Sequence, residues 1–170
     1  MNGHDPRAVA RTMIERAEAL DIELTHLKLQ KLLYLAHGVM LAKYGRPLVT
    51  EPFRAWRYGP VLEPLYHELK IFGPGPVGSK HGFIPRWPSL PEDATREIEV
   101  IDDVLRQCGE MTAGRLVGLS HDPNGPWYAV YNAETQAPDI GIDDNAIESY
   151  FRTLIVPEEE GSPATSSRRR

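Results

Sequence analysis

The chain has 170 residues, of which 41% are hydrophobic and 25% are charged, and its formal net charge is −5. This length and composition predict an ordinary soluble protein with one sizeable core. Apolar stretches end well before the ~20 residues that a membrane-spanning helix requires, which excludes that class. A pI of about 5.7 argues against a dedicated nucleic-acid-binding protein, since such proteins usually carry a basic face.

The single cysteine, Cys108, excludes an intramolecular disulfide and a cysteine-rich zinc site. One free thiol suits a reducing cytoplasm. The first residues include charged side chains and form no apolar h-region, so the sequence predicts no signal peptide. We therefore expect a cytoplasmic protein.

Two helices are predicted at the start of the chain. The first runs from about Asp5, which can cap it, to Leu20, and Pro6 suits its first position. The second begins after the N-cap Thr25 and ends at Gly45. Its apolar surface is wider than one stripe, which predicts a central helix with neighbours on more than one side. The stripe consists of Leu29, Leu32, Leu33, Ala36, Val39 and Met40.

A short extended element is predicted at residues 52–58, where side chains alternate, and it ends in a turn at Gly59-Pro60. A third helix follows, with Pro64 in its first turn, and it ends at the Gly-Pro run 73–76. A second extended element is predicted around residues 82–85. The core-facing side chains of the third helix are predicted to be Leu65, Tyr66, Leu69 and Phe72.

Helical signals continue through the second half of the chain. A fourth helix is predicted from about Pro91 to Gln107, and Thr112 can cap a fifth. Pro126 opens a short helical turn, and Asp143 or Asp144 caps the last helix. These signals predict a mainly α, compact single-domain fold with short extended elements.

The predicted domain covers residues 1–156. Residues 157–170 are polar and charged, with nothing apolar beyond Ala164 to anchor them. Such a segment cannot bury enough apolar surface to offset the entropy of ordering, so we expect a disordered tail.

Motifs for phosphate, metal or cofactor binding are absent from the sequence. His26 and His37 share a face of the second predicted helix but lie ~16 Å apart along its axis, too far to bind one metal ion. Cys108 and His121 could form a thiol hydrolase site. Cys108, however, falls at a predicted helix C-terminus, where the dipole raises a thiol pKa and favours a structural role. We therefore expect no catalytic residues, no metal and no cofactor.

A DNA-binding regulator is the alternative function. The first two helices could form a helix-turn-helix, with the helix that starts at Thr25 presenting Lys28, Gln30 and Lys31 to bases and phosphates. The wide apolar surface of this helix argues against such exposure, so nucleic acid is not the partner that we expect.

Two groups of aromatic, proline and glycine residues remain as candidate binding positions. Tryptophan and tyrosine dominate hot spots at protein interfaces, because they combine large apolar area with a polar group. The same residues could equally form rigid corners of the core. The two interpretations are compatible, since a rigid corner can also present a binding surface. The candidates are Trp56, Tyr58, Gly59, Pro60, His121 and Trp127.

Residues 24–38 read L-T-H-L-K-L-Q-K-L-L-Y-L-A-H-G, and residues 51–61 read E-P-F-R-A-W-R-Y-G-P-V. Together they resemble the signature of the Panacea-domain family, which includes SocA-like antitoxins and phage-associated GepA-like proteins. Leu119-Ser120-His121 and Pro126-Trp127 resemble a later element of the family. The resemblance extends from about Leu24 to Phe151.

The resemblance implies an antitoxin that neutralises a toxin encoded beside it by direct protein–protein binding. In SocA-like members it further implies delivery of the toxin to the ClpXP protease as a proteolytic adaptor. It brings no catalytic residues. The six candidate positions match the family signature, which makes them candidate partner-binding residues.

Overall fold

The computed structural model describes residues 3–131 and 140–155. In these ranges the chain forms seven α-helices and one two-stranded antiparallel sheet, which confirms the mainly α fold class. The helices are α1 (Pro6–Ala19), α2 (His26–Tyr44), α3 (Glu63–Leu69), α4 (Thr95–Cys108), α5 (Ala113–Ser120), α6 (Pro126–Val130) and α7 (Asp144–Leu154), and the strands are β1 (Arg54–Trp56) and β2 (Gly59–Val61). In the described ranges no helix has the length and hydropathy to cross a membrane. The tail predicted at 157–170 lies outside the described residues.

Helix α2 is the centre of the fold. The hydroxyl of Thr25 accepts a hydrogen bond from the Lys28 amide, and Gly45 ends the helix in the left-handed conformation, as predicted. α2 packs against α1, α4, α5, α7 and β2. Its apolar side chains therefore have neighbours on several sides, which confirms the prediction made from the width of its apolar surface.

Aromatic packing joins α2 to α7 and to the segment before β1. The Tyr34 ring lies edge-on to both Phe53 and Phe151, with ring centroids 5.5 Å apart in each pair. One turn further along α2, Gly38 faces the Phe151 ring so closely that a Cβ would overlap it. The absence of a side chain at Gly38 thus sets how near α7 can approach.

His37 connects three parts of the chain from a fully buried position on α2. Its Nδ1 accepts from the backbone amides of Leu48 at 3.2 Å and Val49 at 3.4 Å, so the ring proton is on Nε2. Nε2 donates to Asp144 at 2.8 Å, at the start of α7. The imidazole is therefore a structural link.

The predicted extended element at 52–58 is a hairpin whose turn was placed two residues too late. The turn is at Arg57 and Tyr58, and Gly59-Pro60 opens β2. Pro60 is tolerated in the strand because its pairing with Ala55 directs their backbone groups away from each other. The Ala55 amide donates to Ile140, and the Pro60 carbonyl accepts from Lys31.

Two further predictions were wrong in detail. Residues 82–85 do not form a strand, because Ile84–Arg86 is a 3₁₀ turn in which Pro85 fixes a helical φ. The Arg11 side chain holds this turn by donating to the carbonyls of Pro85 and Trp87. Helix α4 begins at Thr95, after a turn closed by a hydrogen bond from Ala94 to Pro91, and not at Pro91.

The substitution Gly38→Ala tests the contact between α2 and α7. Phe151 also packs edge-on to Tyr34 and Tyr150, so its ring has little room to move away from a new Cβ. We expect the free energy of unfolding in urea to fall by ~1–3 kcal/mol, even though alanine favours helix. The control Gly118→Ala, where a Cβ would meet nothing within 4 Å, should instead gain ~0.5–1 kcal/mol. Equal effects would show that this contact does not limit packing.

Candidate functional site

The six candidate positions converge on the hairpin, defined here as residues 54–61. Trp56 ends β1, Tyr58 is in the turn, and Gly59 and Pro60 open β2. The other two reach the hairpin from outside: His121 follows the last residue of α5, and Trp127 is in α6. The two groups, separate in sequence, thus form one site.

Side chains of α2 complete the outer edge of β2. Lys31 Nζ donates to the Pro60 carbonyl at 2.7 Å. The Gln30 amide pairs with both backbone groups of Leu62: its Oε1 accepts from the Leu62 N–H at 2.9 Å, and its Nε2 donates to the Leu62 carbonyl at 3.1 Å. Gln30 and Lys31 therefore pair with this edge as a third strand would. Without them, β2 would bury backbone groups that have no hydrogen-bond partner.

This arrangement bears on the DNA-binding alternative. Of the polar residues that could reach bases and phosphates, Gln30 and Lys31 have exposed fractions of only 2% and 1%. Lys28 is half-buried, and its Nζ donates to the Gly109 carbonyl. The side chains of Gln30 and Lys31 are directed at the hairpin, so the helix that starts at Thr25 does not offer them to a nucleic acid.

Gly59 is the residue of the hairpin that lies close against Ser120 and Lys31. Its φ of +107° is a conformation that L side chains rarely adopt. A Cβ at this position would overlap the Ser120 hydroxyl oxygen and would lie 2.9 Å from Lys31 Cε. Glycine is therefore required both by the backbone and by the space.

Trp127 holds the other strand. Its Nε1–H donates to the Trp56 carbonyl at 2.7 Å, and the residue is 5% exposed. The His121 ring stacks on the indole at 3.7 Å with an interplanar angle of 6°, and Tyr131 stacks on it at 4.5 Å. The stack joins the end of α5 to α6 beside the hairpin.

Three basic side chains near the hairpin are shifted towards their neutral forms. Burial lowers the pKa of Lys31 to about 7. Burial, and then the charge of Lys31, lower the pKa of His26 to about 4 and also depress the pKa of His121. The Nε2 atom of His121 is buried and has no hydrogen-bond partner in the described chain.

Exposed apolar side chains lie on the elements that hold the hairpin. Tyr58, in the turn, is 58% exposed. Tyr66 was predicted to face the core but is at the surface, edge-on to Trp56 at 4.8 Å, because Leu65 and Leu69 already fill the buried face of α3. We call the exposed set the apolar rim, and it consists of Tyr58, Tyr66, Leu119 and Tyr128.

The thiol alternative gains no support from the surroundings of Cys108. Burial raises the pKa of its thiol, and Arg115 only partly opposes the effect. A thiol in this environment stays protonated at neutral pH and is a poor nucleophile. Among the residues that the structure describes, no group of three His, Cys, Asp or Glu side chains could hold a metal ion.

A cleft of about 420 Å³ lies near the N-terminal ends of α1 and α3 and includes Arg7, Glu51 and Glu68 in its walls. None of the six candidate positions lines it. The candidate site is therefore the hairpin, where residues of both strands meet residues of α2, α5 and α6.

Gln30, Lys31 and Ser120 were not among the six candidate positions, and the sequence did not connect them with the hairpin. A signal was present for the first two: adjacent polar residues within a helix that is apolar over most of its circumference. Such residues must find buried partners. Which backbone groups they would satisfy depends on a hairpin about 30 residues further along the chain.

Comparison with known proteins gives consistent results. The profile of the family described as "Antitoxin SocA-like, Panacea domain" matches residues 29–128, a span that includes all six candidate positions. Antitoxin SocA of Caulobacter vibrioides (strain NA1000 / CB15N) is 38% identical over 160 residues, which cover 87% of this chain and 82% of that protein. No solved structure matches the chain.

The substitution Gly59→Ala tests the fit of the hairpin. Gly45→Ala is a matched control, because φ is also positive there, at +64°, but no atom lies within 4 Å of the added Cβ. We expect the control to lose ~1 kcal/mol of unfolding free energy through backbone strain alone. Gly59→Ala should lose ~3 kcal/mol or more, because it adds overlap with Ser120 and Lys31. Urea denaturation of both variants measures the difference, and equal losses would rule out a tight fit.

Proposed function

Because the chain belongs to the Panacea-domain family of SocA-like antitoxins, we propose that it neutralises a toxin encoded beside it by direct protein–protein binding. The observation that carries the proposal is the convergence of all six candidate positions on one hairpin with an exposed tyrosine at its tip. A non-enzymatic protein in the cytoplasm is part of the same proposal.

We assign two kinds of role within the site. Tyr58 and the rest of the apolar rim contact the toxin, since these side chains are exposed and large. Gly59, Pro60 and Trp127 are buried, so their contribution is to hold the hairpin in place. Gly59, Pro60 and Trp127 thus form a frame, and Tyr58 forms a contacting tip.

The tip is partly organised before binding. The Arg57 guanidinium lies 5.4 Å from the centroid of the Tyr58 ring, a cation–π geometry. A tyrosine has only two side-chain torsions to fix, and a neighbour that restricts them lowers the entropy cost of association. An exposed aromatic side chain on a short, braced hairpin is therefore well suited as an anchor.

The proposal extends to the fate of the bound toxin. As the resemblance to SocA-like members implies, we propose that the chain also acts as an adaptor that delivers the toxin to the ClpXP protease. A binding protein that only blocks its toxin would leave toxin levels unchanged, whereas an adaptor would lower them. The two mechanisms are therefore separable by measuring toxin half-life.

The first test is affinity purification of the tagged chain from its native host, with identification by mass spectrometry. We expect one small protein, encoded next to this chain, near a one-to-one ratio. Co-expression should abolish the toxicity of that protein. Recovery of no partner from folded bait would contradict the proposal. A gel shift on the chain's own promoter that fades with salt would favour the DNA-binding alternative.

The variant Tyr58→Ala tests the contacting tip. We expect the Kd for the purified toxin to rise by ~30-fold, the loss of a hot spot of ~2 kcal/mol. The thermal stability should be unchanged, because the side chain is exposed. The control is Leu154→Ala on α7, which is 57% exposed and belongs to no candidate group. Calorimetric titration should find wild-type affinity for the control, and equal losses in both variants would place the interface elsewhere.

The adaptor mechanism is tested with purified ClpXP. We expect the chain to accelerate ATP-dependent degradation of the toxin, and Tyr58→Ala to lose this effect in proportion to its lost affinity. Neutralisation without any change in toxin half-life would leave blocking as the sole mechanism.

A further inference from the structure

Lys31 has an unusual position for a lysine. It is 1% exposed, and its one hydrogen bond in the described chain goes from Nζ to the Pro60 carbonyl. A charged ammonium group has three N–H donors, and its burial costs a large desolvation free energy. The desolvation free energy of a neutral amine is far smaller. The contact that fixes β2 to α2 is therefore made by a group whose charge state matters.

The groups that face Lys31 do not compensate a positive charge. On its own helix, His26 is buried, and Gln30 Nε2 lies 3.3 Å from its Nε2. At the end of α5, His121 is the ionisable neighbour, and β2 has no ionisable side chain. In the described ranges, no carboxylate is paired with any of these three basic groups. A proton taken up by one of them repels a proton on the next.

We propose that the hairpin is a proton-sensitive element: neutral Lys31 fixes it in the conformation that presents Tyr58, and protonation of Lys31 loosens it and weakens toxin binding. This inference rests on the proposed function and adds a regulation to the same site. Lys31 is then a positioning residue that acts on the partner through Pro60 and the hairpin.

The direction of the pH dependence follows from the charge states. Burial lowers the pKa of Lys31 to about 7, whereas the ordinary value is 10.5. Between these values the unfolded chain holds one proton more than the folded chain, so the folding constant rises by about tenfold per pH unit. As pH falls through about 7, folded Lys31 becomes charged and the hairpin loosens.

At high pH other groups oppose this trend. Burial raises the pKa values of Tyr34 and Tyr150, so the folded state holds their protons when the unfolded state loses them, near pH 10. Burial also raises the pKa of the Cys108 thiol, whose ordinary value is 9.0, and this opposes the trend in the same way. The contribution of Lys31 is therefore measurable between about pH 7 and about pH 8.5.

Hydrogen exchange of the chain alone tests the proton-sensitive hairpin. We expect the amides of Val61 and Leu62 to lose about 30-fold in protection between about pH 8.5 and about pH 6, after correction for intrinsic exchange rates, because the tenfold change per pH unit acts over about 1.5 units. Amides in α4 should not change. Lys31→Met keeps the apolar stem and removes the ionisable group, so its hairpin should exchange with the same protection at both pH values. The same pH dependence in Lys31→Met, or none in the wild type, would overturn the proposal.

An NMR titration of the wild type covers the case in which Lys31→Met does not fold. The side-chain resonances of Lys31 and the amides of the hairpin should titrate together, with a common midpoint near 7. Separate midpoints would show that the charge of Lys31 and the position of the hairpin are not coupled.

Toxin affinity separates this inference from the proposed function. With the purified toxin, we expect the Kd of the wild type to rise by about tenfold from about pH 8.5 to about pH 6, and the Kd of Lys31→Met to change much less. A toxin that binds equally at both pH values contradicts the regulation and leaves the antitoxin function intact. Absence of any toxin binding contradicts the function, while the exchange data still decide whether the hairpin responds to protons.

Discussion

The site depends on one interaction, the pairing of Gln30 and Lys31 on α2 with the outer edge of β2. A two-stranded hairpin is marginal on its own, and its unpaired edge would bury open backbone groups. The two side chains satisfy the Pro60 carbonyl and both backbone groups of Leu62, which fixes the hairpin on the most buried helix of the fold. Trp127 then fixes the first strand through the Trp56 carbonyl.

This pairing brings two distant parts of the family signature into contact. The K-L-Q-K segment of α2 supplies the donors and the acceptor, and the G-P-V segment supplies the strand that they bind. Gly59 leaves the space that Lys31 and Ser120 need. Most of the signature positions described above are therefore buried parts of the frame.

A buried lysine is costly, and a methionine of similar length would pack with less desolvation. Its presence at the contact between α2 and the hairpin links the charge of one amine to the position of the tip. Neither His26 nor His121 offsets that charge, since both are basic.

Much of the fold follows from local sequence signals. The caps Asp5, Thr25, Thr112 and Asp143, and the stop at Gly45, were predicted and are observed, because a helix end is determined by a few adjacent residues. Features that depend on contacts with distant segments were predicted wrongly. The pattern of side chains along the sequence could not show where the hairpin turns, that residues 82–85 do not form a strand, or that Tyr66 is exposed.

The six candidate residues were identified from residue type and from the family signature, both of which are properties of the sequence. Their roles were decided by the tertiary structure. Whether Trp127 is buried and Tyr58 exposed, and which backbone groups Gln30 and Lys31 satisfy, depends on contacts between segments far apart in the chain. The sequence determines the chemistry of each side chain. Its partners and its exposure are determined only when distant segments pack together.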